Sequence, residues 1–438
     1  MFFKREEIKF LLLTIGIVGF YNSVYAQSIT LNDAVDIALK NSLDIQVLRN
    51  NRQIADINNN IGVAGGLPAV TASVTDNEQV NNINQKLNTG VEIKRNGASG
   101  NTLTAGLNAS MLLYNGSRVV ATKKRLEQLE TQSEQYVNSL VQNTVAAVMT
   151  AYYDVVRQQN YMKAIDGSID ASQKRLDIVK IQQGVGLANN ADLFQSQLDL
   201  NTLIQSKQSQ QLIIDQSKTE LLLLLNLRPD SLINISDTIV MDKAIVLGDI
   251  LSQLPNNADI IAADEQVKIN SLIIRETAAQ RYPTVRANAA YNYNRSQSDA
   301  GQLLLNQSNG PTGGVSIGIP IYNGSIYKRQ QHVAEINAKT AELQKDILIR
   351  NYSANAVKTY QAYLNNQQQL ETQKQNVELA KKLLDLVLQK FQLRQATIVD
   401  VRQAQQSFEG ASYTFTNLSF AAKSAEIELN RLVNHIKF

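Results

Sequence analysis

Hydrophobic positions along this chain switch between two periods, and they do so twice. From Leu126 the apolar residues recur at Leu129, Tyr136, Leu140, Val148, Tyr152, Val155, Met162, Ile165, Ile169, Leu176 and Val179. Steps of three, four and seven residues mark a coiled-coil seam. No proline interrupts residues 117–183, nor the second such stretch, 325–392. At 1.5 Å per residue, each predicts a helix of roughly 100 Å. Helices in globular proteins average about 10–14 residues, so two such rods at matched positions are a design feature.

Ahead of each rod the period drops to two. Leu103, Ala105, Leu107, Ala109, Met111 and Leu113 share one face of a strand, and Thr102, Thr104, Gly106, Asn108 and Ser110 share the other. Val285, Ala287, Ala289, Tyr291 and Tyr293 alternate with Thr284, Arg286, Asn288, Ala290 and Asn292. Val315, Ile317, Ile319 and Ile321 alternate with Gly314, Ser316 and Gly318, and Val70, Ala72 and Val74 do the same more weakly. Strands are therefore predicted at about 67–76, 100–114, 282–294 and 312–322. Asp76–Gly100 and Arg295–Pro311 would be polar loops between them.

The doubling is an internal repeat. Leu67-Pro68-Ala69-Val70 returns as Tyr282-Pro283-Thr284-Val285, 215 positions later (283 − 68). Tyr114-Asn115-Gly116-Ser117 returns unchanged as Tyr322-Asn323-Gly324-Ser325, 208 positions later (322 − 114). The offset stays 208 for Asp192 and Asp400. The extra length of the first copy thus falls between Pro68 and Tyr114, where a surface loop absorbs it. The copies span about 28–227 and 246–434, joined by a linker at 228–245. Each holds a helical segment (Thr30 to about Gly65; 247–280), two strands, a rod (117–183; 325–392) and a last helix (190–227; 398–434). Two half-length helices stacked end to end would lie against one rod. A four-helix bundle within one isolated chain is the alternative.

Composition narrows the function. Of 438 residues only 18% are charged and the net charge is +3, so no nucleic-acid reading is supported. There is no cysteine and there are two histidines, His332 and His435. That excludes thiolate chemistry and leaves little for a metal site or a histidine base. No Gly-rich phosphate loop and no HExxH motif is present. No enzyme activity and no cofactor are expected. At the start, Lys4 and Arg5 precede the apolar run Phe10–Phe20, and Val24-Tyr25-Ala26 precedes Gln27. This is the pattern of a secretory signal peptide over 1–26, cut after Ala26.

An exported chain with alternating strands and no spanning helix points to a membrane barrel, although a soluble four-stranded sheet has the same period. Four strands cannot close, and an open edge in lipid is forbidden. The chain would have to oligomerise. Two copies give eight strands with a filled lumen, and three give twelve with room for a channel.

Three groups of residues are similar to those of the TolC-like outer-membrane efflux proteins, over almost all of the mature chain. Leu31-Asn32-Asp33-Ala34-Val35 with Asn41 and Asp44 resembles the family's opening helices. Ile319-Pro320-Ile321-Tyr322-Asn323-Gly324 resembles its strand-to-helix joint. Val185-Gly186-Leu187-Ala188 before Asp192, and Gln392-Leu393-Arg394-Gln395-Ala396-Thr397 before Asp400, resemble its helix-tip turns. Arg394 stands where the family often has glycine.

The resemblance implies a mostly helical fold of two tandem repeats. Four transmembrane strands per chain would build a 12-stranded barrel in a homotrimer. The barrel would sit in outer-membrane lipid and continue as a helical tunnel through the periplasm. It implies passive export of drugs, metals or proteins. The partners would be a periplasmic adaptor and an inner-membrane pump of the RND or ABC class. The tips, Gly184, Val185, Gly186, Leu187 and Ala188 with Gln392, Leu393, Arg394, Gln395 and Ala396, would meet the adaptor. Asp385 is a candidate for an acidic ring at the closed end, with a solvated helix carboxylate as the plainer alternative.

The repeated tetrapeptide reads as the joint between strand and rod. Tyr114 and Tyr322 would lie in an aromatic girdle, Gly116 and Gly324 would allow the bend, and Ser117 and Ser325 would cap the helices. A surface or structural trimeric coiled-coil protein without transport activity remains the alternative reading.

Overall fold

The computed structural model describes residues 27–241, 245–300 and 303–435. The expected signal peptide lies outside them. The elements run β1 (Gln27–Ser28), α1 (Leu31–Asn41), α2 (Leu43–Asn58), β2 (Ala69–Lys86), β3 (Glu92–Tyr114), α3 (Arg118–Gly184), α4 (Asn190–Leu224) and β4 (Ile233–Asn234). Then follow α5 (Leu247–Gln253), a 3₁₀ turn at Leu254–Asn256, α6 (Ala258–Ala279), β5 (Thr284–Ser298), β6 (Leu305–Gly318), α7 (Ile326–Gln392) and α8 (Ile398–Leu432). α3 and α7 each hold 67 residues, as the unbroken seams predict.

Three expectations need correction. The opening helix of the first copy is two helices, because Ser42 interrupts it and accepts a hydrogen bond from the Ile45 amide at 3.3 Å. In the second copy Pro255, which has no amide hydrogen, makes the same break. The supposed polar loops are mostly strand: β2 continues to Lys86 and β3 starts at Glu92, leaving a short turn closed by Leu87 N–H to Val91 O at 2.8 Å. Polar side chains do not stop a strand whose backbone groups find a ladder partner. Conversely β6 stops at Gly318, short of the expected 322, just before Pro320.

The chain divides into two compact units. One comprises the described residues within 27–45, 140–254 and 352–435. Its core joins Val35 and Ala38 of α1, Val148, Tyr152 and Val155 of α3, Leu221 and Leu222 of α4, and Ile427 of α8. Here β1 pairs in parallel with β4, tying the linker to Gln27–Ser28. The Tyr152 hydroxyl donates to Asp237 and also lies 3.1 Å from the Ile29 carbonyl oxygen. Burial, together with Asp237, holds that phenol far above its ordinary pKa.

The other unit comprises 46–139 and 255–351. Its sheet has the order β2-β3-β5-β6, antiparallel throughout. Its helices are held in the parallel order α2, α3, α6, α7. Asn59, just past α2, bonds Glu130 and Lys123 of α3. Arg125 of α3 pairs with Glu276 of α6 at 2.7 Å, and Lys345 of α7 pairs with Asp264 of α6 at 2.9 Å. The seam departs from the expected list here. Tyr136 is exposed, while Gln132 and Ser139 are buried. Gln132 donates to Ala262 O and Ser139 to Asp259, so polar groups sit inside because each finds a partner on α6.

Candidate functional site

The sheet carries two contrasting faces in register. Rows Ala72–Leu107–Tyr291–Pro311 and Val70–Ala109–Ala289–Gly313 lie on one face, flanked by Met111–Ala287–Val315 and Val285–Ile317. The opposite face carries Thr71–Asn108–Ala290–Thr312 and Ser73–Gly106–Asn292–Gly310. Among the described residues, no helix covers either face. Val74 keeps 73% of its surface exposed, Leu107 56% and Ile317 64%. A soluble sheet buries its apolar face, whereas this one leaves it bare. From Val285 to Tyr293 the apolar face rises about 27 Å along the strand, which a tilt of about 35–45° in a barrel shortens to about 19–22 Å, most of the roughly 25 Å of a lipid-facing band.

Both edges, β2 and β6, lack a partner among the described residues. The helices repeat that asymmetry. Val47, Ile54, Ile57 and Ile61 on and just after α2 are exposed at steps of seven, three and four. Val333, Ile336, Leu343 and Ile347 of α7 are exposed at steps of three, seven and four. Each is a seam without a partner among the described residues.

The joints are built differently from the expectation. Ser117 and Ser325 adopt φ of 66° and 62°, in the left-handed region and not in the extended conformation of a capping residue. Asn115 caps instead, its side-chain oxygen 3.4 Å from the Val119 amide. Gly116 (φ 68°) and Ser117 form the centre of a turn closed by Arg118 N–H to Asn115 O at 3.3 Å. Consecutive left-handed residues are the mark of hairpin turns, here used to start a helix. A Cβ on Gly116 would lie 2.7 Å from Tyr282 Cβ and 2.9 Å from Ala279 O, whereas one on Gly324 would meet nothing within 4 Å. Tyr114 ends β3 and pairs with Val285, while Tyr322 is unpaired beyond Pro320.

At the other end of the rods, α3 turns into α4 and α7 into α8 through matching Schellman turns. Leu187 N–H bonds Gln182 O at 2.7 Å and Gly186 N–H bonds Gln183 O at 2.9 Å. Gln395 N–H bonds Lys390 O at 2.8 Å and Arg394 N–H bonds Phe391 O at 3.1 Å. The left-handed position is Gly186 (φ 74°) in one turn and Arg394 (φ 61°) in the other. Arg394 Nη2 also donates to Leu187 O at 2.9 Å, which links the two tips. Asn189 and Thr397 cap the following helices. Asp400 completes a capping box, and hydrogen bonds from Thr397 hold its pKa below the usual carboxylate value. Val185 and Leu393 are exposed at the tips.

Asp385 is exposed on α7, next to buried Leu384, which packs on Ala171 and Ala404. Its charge acts on Lys174, which is ion-paired with Asp170. The sequence reading missed Arg175, which is fully buried with Asp199 at 2.7 Å. Desolvation lowers its pKa against the pull of Asp199. Its repeat partner, 208 positions on, is Leu383, and that mismatch between copies was the available signal.

A family model described as outer membrane efflux protein matches twice, over residues 34–227 and 251–435. The outer membrane protein TolC of Vibrio cholerae is 23% identical over 348 residues, covering 76% of each chain. Toxin and drug export protein A of Aggregatibacter actinomycetemcomitans is 23% identical over 318 residues, covering 72% of this chain and 66% of that protein. Among solved structures, CusC superposes with a TM-score of 0.79 at 18% identity over 95% of both chains. The Campylobacter jejuni CmeC outer membrane channel superposes with a TM-score of 0.78 at 15% identity, over 96% of this chain and 91% of that one. The doubled match falls on the two repeats, and the chain belongs to the outer membrane efflux protein family.

Proposed function

We propose that three copies of this chain close into an outer-membrane duct that passively conducts solutes out of the periplasm. One observation carries the reading: a four-stranded sheet with one bare apolar face, one polar face and two unpaired edges. Because the order is antiparallel throughout, β6 of one copy and β2 of the next also run antiparallel. Closure therefore satisfies both edges without changing the ladder type. The free seam on α7 would meet the free seam by α2 in the same step. A contact of this kind joins two different surfaces of the same chain, and such contacts close into rings. A surface fibre would leave the apolar sheet face in water.

The exposed tip turns would dock a periplasmic adaptor, and an RND or ABC pump would deliver the cargo. Tyr114 and Tyr322 would mark the periplasmic boundary of the lipid, and Asp385 would contribute to a constriction near the tips. Outer-membrane fractions should contain a trimer that dissociates on heating and forms channels in planar bilayers. Recovery of the protein only in the medium, with no membrane-bound trimer, would refute the duct.

A further inference from the structure

Between the strand-to-helix joints and the register shift at Asn81–Ile83, the polar face of the sheet is nearly free of charge; the charged residues Lys86, Glu92, Lys94 and Arg95 lie beyond that shift. Across the four strands it presents Thr71, Ser73, Thr75, Asn77 and Gln79; Gly100, Thr102, Thr104, Gly106, Asn108, Ser110 and Leu112; and Thr284, Asn288, Ala290, Asn292, Asn294, Ser296 and Ser298. On β6 it continues with Asn306, Ser308, Gly310, Thr312, Gly314, Ser316 and Gly318. Arg286 is the one ionisable side chain among them. It is exposed, opposite Leu112 on β3 and Ser316 on β6, near the end of the strand closest to the joint. It makes no ion pair among the described residues. Its neighbour Asn288 donates to Ser316 at 3.1 Å, so the nearby polar groups are engaged with one another. A cationic side chain left bare on an otherwise neutral wall has no structural task there.

We infer that Arg286 sets an anion preference in the conducting barrel. This rests on the trimeric duct proposed above, in which the polar face lines the lumen and three copies form a ring of three positive charges. In a 12-stranded barrel the guanidinium groups stand about 10 Å from the axis. Three unit charges at that distance in water, screened over about 10 Å at 0.1 M salt, enrich monovalent anions on the axis about twofold. They deplete cations by the same factor, so the ring changes the anion-to-cation permeability ratio about fourfold. Solutes carrying several negative charges gain more, as the power of their charge. The ring thus favours anionic cargo over cationic cargo of equal size.

The chain has no cysteine, so Arg286→Cys introduces a unique thiol. Reversal potentials would be measured in planar bilayers under a KCl gradient. The channels compared are wild type, Arg286→Gln, and Arg286→Cys after a trimethylammonium-bearing or a sulfonate-bearing methanethiosulfonate reagent. Mass spectrometry checks the extent of labelling. Arg286→Gln should lower the anion-to-cation ratio about fourfold. The trimethylammonium adduct should restore the wild-type ratio and the sulfonate adduct should push it past that of Arg286→Gln. Channels whose reversal potential ignores both the glutamine and the fully labelled adducts would overturn the ring while leaving the duct intact. Absence of trimers and of conductance in the wild-type protein would overturn the duct itself, and the ring with it.

Discussion

The two strand-to-helix joints share a sequence but not an environment, and their glycines should not be equally replaceable. Gly116 and Gly324 both sit at φ 68°, where any Cβ costs about 1–2 kcal/mol. At Gly324 that is the whole cost, because a Cβ there meets nothing within 4 Å. At Gly116 the added carbon would stand 2.7 Å from Tyr282 Cβ and 2.9 Å from Ala279 O. Neither neighbour is the far end of a flexible side chain, so backbone has to shift, at a further cost of about 1–3 kcal/mol. Gly116→Ala should therefore lose about 2–5 kcal/mol per chain and Gly324→Ala about 1–2. For a cooperative unit of about 410 residues, the chain without its expected signal peptide, unfolding entropy converts each kcal/mol to about 1 °C. The midpoint of heat-induced trimer dissociation, read on gels at one heating rate, should fall by about 2–5 °C for Gly116→Ala and 1–2 °C for Gly324→Ala. Outer-membrane trimer yield should fall in the same order. Equal losses in the two variants, or a larger loss at Gly324, would refute the reasoning.

Other substitutions test the tips and the buried charge. Arg394→Gly removes left-handed strain but also the bond to Leu187 O, two effects of about 1 kcal/mol each, so thermal stability should stay near wild type. Arg394→Ala keeps the strain and loses the bond, and should be about 1 kcal/mol less stable in the same melt. Asp199→Ala leaves the Arg175 guanidinium buried without its counter-charge and should cost about 3 kcal/mol. Arg175→Leu, which installs the residue of the other repeat, should cost much less, and a loss as large as that of Asp199→Ala would contradict this account. For Asp400 the pKa is lowered in the folded state, so its contribution is present above the unfolded value, near 3.8, and is lost as pH falls through the folded one. Asp400→Asn should therefore melt earlier than wild type at neutral pH, with the gap closing below about pH 3–4.

Much of the molecule is legible in one strand of text because its determinants are local. The 208-residue offset between Gly116 and Gly324 reappears as paired φ values, and that between Asn189 and Thr397 as paired helix caps. Heptad and alternating periods depend only on which face a residue takes, and face is set by position along the element. So the rods, the strands and the repeat could be read directly. What required the tertiary structure depends on partners far away in sequence. Asp76–Gly100 folds mostly as strand because ladder partners across the hairpin and on β5 satisfy its backbone. Gln132 and Ser139 take the seam from Tyr136 because α6 offers them acceptors. Ser117 yields the cap to Asn115 because the chain must turn through two left-handed residues to leave the sheet. Arg175 is buried because Asp199, on the neighbouring helix, lies within 2.7 Å of it. Local periodicity alone specifies the elements and their doubling. The order α2, α3, α6, α7 beside β2, β3, β5, β6, and hence which edges stay open for another copy, was decided only when the chain packed, because pairing is a property of surfaces brought together.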